Sequence, residues 1–536
     1  PDDDGKSGRE AAADTLIRIG AAGELFSDIL GETYARVDVD GHLETWPLRS
    51  KGFRRWLVRA FYLECGKAPS GEAMAAALGL LDAKAQFDAP HAHVYIRVAP
   101  DGDGGLYVDL GDATWRAIHV TAHGWDIVAH PPVRFRRSPA MQPLPVPERG
   151  GTLDELRALV NVRGDKDWAL VKAWLRAALW HHGPYPILSI VGEQGSAKSS
   201  FERMLRSLVD PARPELRSEP RDQRDLAIAA RSCWVLAYDN LSTIQPWCSD
   251  AFCRLATGGG WATRELYSDL DEILFEAQRP IIVNGIGGYM SRGDLFERTV
   301  QVQLDPIDEA GRKPEREIWA KFDAIRPRLI GALMDDLAGV IHALPLVQLA
   351  SLPRMADFAL LAVAAEQGQE ETPIFLQAYA GARTEAHEQT VAASLIGDTL
   401  LALLEERGAT GWKGQPGELL AALEQRASEN LKRSHSWPSS PRKLTSELQR
   451  ITPSLRNLGF EVETGKRSGH GGRRLIEIIR EAAGKGRGQP SPPPPNPAQS
   501  DSTTPSDPVA IREYAEGETL TTIANGLGPD IVDEEV

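Results

Sequence analysis

The stretch Pro186–Phe201, PILSIVGEQGSAKSSF, constrains this chain more than any other. Ile187–Val191 is a short apolar, β-branched run of the kind that forms a buried strand. Gly192 to Ser199 follow with the spacing of a phosphate-cradling loop, and Phe201–Leu208 reads as the helix behind it. The order has a chemical reason. A strand aims small residues at a helix N-terminus, where unpaired N–H groups and the helix dipole attract an anion. In such a loop Lys198 reaches the β- and γ-phosphates and the Ser199 hydroxyl holds Mg²⁺. Gly192, Glu193, Gln194, Gly195, Ser196, Ala197, Lys198, Ser199 and Ser200 are therefore the candidate nucleotide-binding residues. One position departs from G-x-x-x-x-G-K-[ST], because Ala197 stands where the second glycine is expected. A chance small-residue turn would not bring strand, loop, Lys-Ser and helix together.

Three further runs extend the reading. In RSCWVLAYDNLS (Arg231–Ser242) the apolar core Trp234–Tyr238 ends at Asp239, about 40 residues beyond Lys198. That is the layout of a second strand presenting an acid to the Mg²⁺ shell. RPIIVNGI (Arg279–Ile286) predicts a third buried strand, ending in Asn284, which is suited to orient an attacking water. DLFERTVQVQL (Asp294–Leu304) places Arg298 before another alternating strand. Arg298 is either a salt-bridged surface residue or a finger reaching a neighbouring subunit's γ-phosphate.

Composition sets the frame around this core. A net charge of −15 over 536 residues argues against a globally basic nucleic-acid binder. The length suits three or four domains. No run reads as long and apolar enough to cross a bilayer, and the hydrophilic start PDDDGKSGRE shows no secretory signal, so the expectation is a cytoplasmic protein without membrane contact. Cys65, Cys233, Cys248 and Cys253 form no C-x-x-C pair and read as buried thiols.

The segments divide as follows. Residues 1–20 read as a disordered leader and 21–150 as a mixed α/β domain. In the latter, Gly52–Gly66 and Gly71–Phe87 have helical period, while His93–Val98, Leu106–Asp112 and Trp115–Val128 read as strands. Asp101, Asp103, Asp109 and Asp112 fit turn chemistry better than a metal or nuclease site. Val133–Ser138 is a basic strand end, either solvated or facing a phosphate backbone. Pro143–Gly151 is a plausible boundary by its Pro and Gly content, before an ATPase domain at 151–345 and a helical region at 346–408. Segment 409–482 changes character: Trp412–Arg480 holds thirteen Lys or Arg against seven Asp or Glu, a net +6 in an acidic protein. Its helix, its turn and helix opened by Ser439–Pro441, and two strands around a Gly-rich basic stretch make a winged-helix pattern. Lys443, Arg450, Arg456, Lys466, Arg467, Arg473 and Arg474 are the candidate DNA contacts, with protein contact as the alternative use. Residues 483–536 are Pro-rich and end acidic, too poor in apolar residues to fold.

Gly192–Ser199, Asp239, the T-G-G-G-x-x-x-R stretch Thr257–Arg264, Asn284 and Arg298 stand in the order seen in superfamily 3 helicases. The chain most resembles the phage and plasmid replicative helicases related to the poxviral primase-helicase, over Leu153–Leu344. Minichromosome-maintenance helicases carry a similar A-K-S. The resemblance implies an α/β AAA+ ATPase that uses ATP and Mg²⁺ and assembles as a ring, commonly a hexamer, with active sites between subunits. It also implies that Trp261–Gln278 is a hairpin projecting into a central channel. There Arg264 would pair with phosphate and Tyr267 would stack on a base of single-stranded DNA, or both would merely brace the hairpin. Duplex DNA at the winged helix, and a primase or polymerase, are the other expected partners. The N-terminal part shows no primase metal triad. One departure matters: such helicases usually have a second acid after Asp239, and here it is Asn240. Either Asn240 positions water, with Glu193 or Asp250 helping, or hydrolysis is slow. Arg326, Arg328 and Arg354 are candidates for a lid arginine touching the nucleotide. The expected catalytic set is Lys198, Asp239, Asn240, Asn284 and Arg298. The expected function is an ATP-driven DNA helicase or translocase in replication of a phage, prophage or other mobile element. The alternative is a non-unwinding DNA-binding switch ATPase.

Overall fold

The computed structural model describes residues 11–264, 272–275, 277–285, 289–290, 292–434, 437–468 and 473–480. Its centre is a parallel sheet of β1 (Ile187–Gly192), β2 (Leu236–Leu241), β3 (Ile281–Gly285) and β4 (Thr299–Leu304), in the spatial order β4-β1-β3-β2. Period-2 alternation sends Leu188, Ile190, Ile282, Val300 and Val302 into one core, with the helices Gly164–Ala178, Lys198–Val209 and Glu315–Ala343. Ile187, Val191, Leu236, Tyr238, Ile281 and Val283 face a second core, with the helices Gln223–Ser232 and Pro246–Thr257. Strands covered on both faces must be apolar throughout, which explains the near-continuous hydrophobic runs in the sequence.

Two antiparallel sheets precede this core. Strands Glu24–Ser27, Thr33–Val39 and His42–Pro47 pack with the helices Ala12–Ala21, Lys51–Cys65 and Gly71–Phe87. Residues 12–20, expected as leader, are therefore a folded helix. Thr15, Leu16 and Gly20 are buried, and a Cβ on Gly20 would lie 2.4 Å from a Leu81 methyl. The second sheet runs Val98–Pro100, Leu106–Asp109, Ala117–Thr121 and Gly124–Val128 in chain order. Its buried side chains Val98, Leu106, Val108, Ile118 and Val120 join the same core as Trp174, Leu205 and Leu333. The Trp125 indole also donates to Asp335 at 2.8 Å. The Pro143–Gly151 stretch thus crosses a continuous core.

The charged residues of this region are engaged inside the fold. Asp101 accepts the N–H groups of Asp103 and Gly105 and pairs with His119, while Asp109 and Asp112 pair with Arg137 and Arg116. In the basic strand end, Arg134 pairs with Glu24, Arg136 with Glu32 and Arg137 with Asp109, which neutralises the patch.

Beyond the central sheet, the helices Ala356–Gly368, Phe375–Ala392 and Gly397–Arg407 lead to the C-terminal part. There the helices Pro416–Glu424 and Pro441–Asn457 pack on the hairpin Phe460–Ser468 and Arg473–Arg480, and the short strand Trp412–Gly414 pairs with the hairpin's second strand. One expectation needs correcting. The window Glu315–Leu346 is long and apolar enough to cross a membrane by length and composition. Its most apolar 18-residue stretch is 61% buried inside this chain, because those apolar residues serve the core.

Candidate nucleotide site

β1 ends in the loop, and the loop ends in the helix Lys198–Val209. A Cβ on Gly192 would sit 2.6 Å from the Ser196 hydroxyl and 2.9 Å from the Leu304 carbonyl, so only glycine fits between loop and β4. Gly195 has φ +84°, and Ala197 has φ +60°. The conformation of the second glycine is therefore kept, with an alanine holding it. The buried Ser196 hydroxyl donates to the Glu193 carbonyl at 2.9 Å and closes the loop. Lys198 Nζ donates to the carbonyls of Gly192 and Glu193, both at 2.8 Å, across the loop mouth. Burial holds its pKa below the usual lysine value, against the upward pull of the Asp239 carboxylate.

Opposite the loop, the Ser199 hydroxyl donates to Asp239 Oδ1 at 2.6 Å. A hydroxyl and a carboxylate from two elements, converging at one point, are hard oxygen donors of the type Mg²⁺ takes. Asn284 lies beside them on β3. Its amide nitrogen donates to Asp239 Oδ1 at 2.7 Å and also to Glu202, and its oxygen accepts the Asn240 N–H at 3.0 Å. Both amide hydrogens of Asn284 are thereby engaged within the protein. Here it is bonded to Asp239, where the sequence suggested that it would orient water.

Asn240 has φ +58° and lies in a register irregularity between β2 and β3. Its backbone serves the site while its side chain is exposed. Asn tolerates this left-handed conformation better than most residues, which gives a local reason for an amide here. Of the proposed helpers, Asp250 is paired with Arg292 at 2.8 Å and Glu193 is exposed.

Glu202 is the residue the sequence reading missed. It is fully buried, bonds Asn284 with one oxygen, and its other oxygen has no hydrogen-bond partner. Burial is the main cause that raises its pKa to about 8. A signal was available, since Glu202 is i+3 from Ser199 on a helix and must share its face.

The arginines divide differently from expectation. Arg298 is mostly buried and pairs with Asp294, which also pairs with Arg354 at 3.1 Å, so it is not displayed as a free finger. Arg326 donates to the Ser207 carbonyl at 2.6 Å, Arg328 pairs with Glu155, and Arg354 also pairs with Glu297. These three are occupied by structural contacts away from the loop.

Of the candidate DNA residues, Lys443, Arg450 and Arg456 lie on the exposed side of the helix Pro441–Asn457, as does Arg442, which the sequence reading left out. Arg450 pairs with Glu447 at 2.6 Å, and Arg456 donates to the Val462 carbonyl at 3.0 Å. Lys466, Arg467, Arg473 and Arg474 fall on the two hairpin strands, with side chains outside the described residues. Trp261–Arg264 and Glu272–Phe275 pair antiparallel, with Arg264 opposite Glu272. Tyr267 lies outside the described residues, as does the Arg264 side chain.

Beside the loop opens a cavity of about 470 Å³, lined by Asn161, Gly195, Ala197, Phe201, Ile318 and Trp319 among others. A cavity with an aromatic wall and several cationic side chains, next to this loop, suits a flat base joined to phosphates.

The fold and site define a strand–loop–helix of the phosphate-loop pattern at the C-terminal edge of a doubly covered parallel sheet, the edge where such sheets bind ligands. Residues 153–384 match the family model of the actinomycete integrative conjugative element replication protein, and residues 396–496 match that of the AICE RepA C-terminal domain. No curated protein matches the chain. Similar solved structures include the apo NrS-1 C-terminal region (305-718), at 14% identity, 88% coverage of this chain and 100% of that one, and TM-score 0.40. Another is SCCmec type IV Cch, described as an active helicase, at 12% identity, 85% and 92% coverage, and TM-score 0.41.

Proposed function

We propose that the protein is an AAA+ ATPase of superfamily 3 type that drives DNA translocation or unwinding in replication of an integrative mobile element. The observation that carries this reading is the convergence of Lys198, Ser199, Asp239 and Asn284 on one phosphate loop. The two matches to models of integrative-element replication proteins support the biological setting.

The chemistry follows from the residues. The loop N–H groups and the helix N-terminus receive the triphosphate. Lys198 exchanges its two carbonyl partners for phosphate oxygens. Ser199 and Asp239 would hold Mg²⁺, which when bound neutralises charge on the β- and γ-phosphates. Asn284, fixed by Glu202 and the Asn240 N–H, keeps the Asp239 carboxylate aimed at that point. The base lies against Trp319 in the adjoining cavity. In a ring, Arg298 would have to leave Asp294 to reach a neighbouring site.

The C-terminal unit of helices and hairpin serves, in this reading, as a winged helix on duplex DNA, and the Trp261–Gln278 segment engages a single strand. A switch ATPase that assembles on DNA without separating strands is the second reading, favoured by Asn240 standing where an acid would act as base. ATP-dependent strand displacement on forked DNA separates the two. The helicase reading expects displacement that needs hydrolysable ATP, and its absence alongside DNA-stimulated ATPase would support the switch.

A further inference from the structure

Between β4 and the helix Glu315–Ala343, residues 305–314 form a strap beside the phosphate loop, and both its ends are pinned. At one end the Asp305 carboxylate accepts from Arg163 at 2.8 Å, and its N–H donates to the Asn161 carbonyl at 3.0 Å. Asn161 in turn donates to the Ser196 carbonyl of the loop at 3.2 Å. At the other end Arg203, on the helix behind the loop, pairs with Glu315 at 2.5 Å and lies over the Trp319 ring at 5.4 Å from its centroid. Between the pins, a short 3₁₀ turn at Glu309–Gly311 delivers Arg312. Its guanidinium lies 3.5 Å from the point where a Cβ on Gly195 would stand, and it shares the cavity with Gly195, Ala197 and Ser200. Arg312 is exposed, and its side chain has no hydrogen-bond or ion-pair partner among the described residues. Lys313 and Lys321 line the same cavity.

An unpaired guanidinium beside a loop with the spacing of a phosphate cradle has a counterpart in a phosphate chain, which accepts its planar fork through two oxygens. We infer that Arg312 is a phosphate-contacting residue of the nucleotide site, supplied by the same chain as the loop and closing over the polyphosphate of a nucleoside triphosphate. The inference rests on the nucleotide-site reading above and adds to it a discrimination by phosphate number. A nucleoside monophosphate, with its single phosphate, would leave the strap arginine without its partner.

Titration of the full chain with fluorescent ATP and AMP analogues tests this, using wild type, Arg312→Ala, Arg312→Lys and Lys198→Ala, each checked for folding by circular dichroism. Arg312→Ala should weaken ATP binding by about ten- to hundred-fold, the worth of a charge-assisted contact. It should leave AMP binding within about twofold, and Arg312→Lys should recover part of the loss. If Lys198→Ala weakens ATP while Arg312→Ala does not, or if Arg312→Ala weakens ATP and AMP alike, the inference is overturned and the nucleotide site stands. If wild type binds neither nucleotide, both readings fall.

Discussion

Ala197 and Asn240 are the two positions where the sequence departs from the expected pattern, and both have positive φ. A left-handed L-residue costs roughly 1–2 kcal/mol, and glycine escapes that cost but orders a freer chain on folding. Ala197→Gly should therefore raise stability slightly, by about 0.5 kcal/mol. Ala197→Val should lower it by about 1–3 kcal/mol, since a β-branched side chain suits this region least. Urea unfolding of the full chain measures both, and an Ala197→Val protein as stable as wild type would refute the conformational account. At this scale the sequence was legible where chemistry repeats a pattern, as at Lys198, Ser199 and Asp239. It was less legible where partners decide the role. Asn284 reads as a water-positioning residue until its amide is seen held by Asp239 and Glu202. Arg298 reads as either a salt-bridged residue or a finger until Asp294 is seen beside it.

The helix Lys198–Val209 does more than open with Lys198, because its second turn buries Glu202 under the candidate site. A carboxyl whose folded pKa is raised to about 8 stays protonated at neutral pH, whereas in the unfolded chain it ionises near its ordinary value. Its contribution to stability is thus fully present below about pH 4.3 and declines as pH rises toward the folded value. Glu202→Gln keeps an oxygen for Asn284 and cannot ionise. Unfolding free energies at pH 5.5 and pH 8 should fall with pH more in wild type than in Glu202→Gln, and equal slopes would show that Glu202 does not hold its proton. The helix Pro441–Asn457 carries its own prediction. Each phosphate contact adds about 0.9 to the slope of log affinity against log salt on duplex DNA. Lys443→Glu with Arg442→Glu should therefore weaken duplex binding and flatten that slope by about one to two. An unchanged slope would assign this face to protein contact. The elements themselves were legible from period and capping, as with Ser440 at the start of this helix. The strap carrying Arg312 was not, because a loop has no periodicity from which its neighbours can be inferred.

Across the whole molecule, the N-terminal sheets and the candidate nucleotide site are joined by a buried charge. Arg97, with no exposed surface, donates to Asp210 at 3.0 Å and to the carbonyls of Asp109 and Gln142. Asp210 ends the helix behind the phosphate loop and also accepts the N–H groups of Trp234 and Val235, which lead into β2. A region that composition marks off at Pro143–Gly151 is thus part of the foundation of the site, a long-range fact that no local pattern encodes. Arg97→Ala would leave Asp210 buried without its cation and should destabilise the chain by about 3–5 kcal/mol in urea unfolding. A loss under 1 kcal/mol would mean that the N-terminal sheets are not mechanically coupled to the core. The central claim is that this assembly hydrolyses ATP at the Lys198 loop. The steady-state ATPase rate of the full chain tests it most directly, with wild type beside folded Lys198→Ala protein. The account predicts turnover in wild type and a fall of at least ~100-fold in the variant. Wild-type turnover in Lys198→Ala would contradict it.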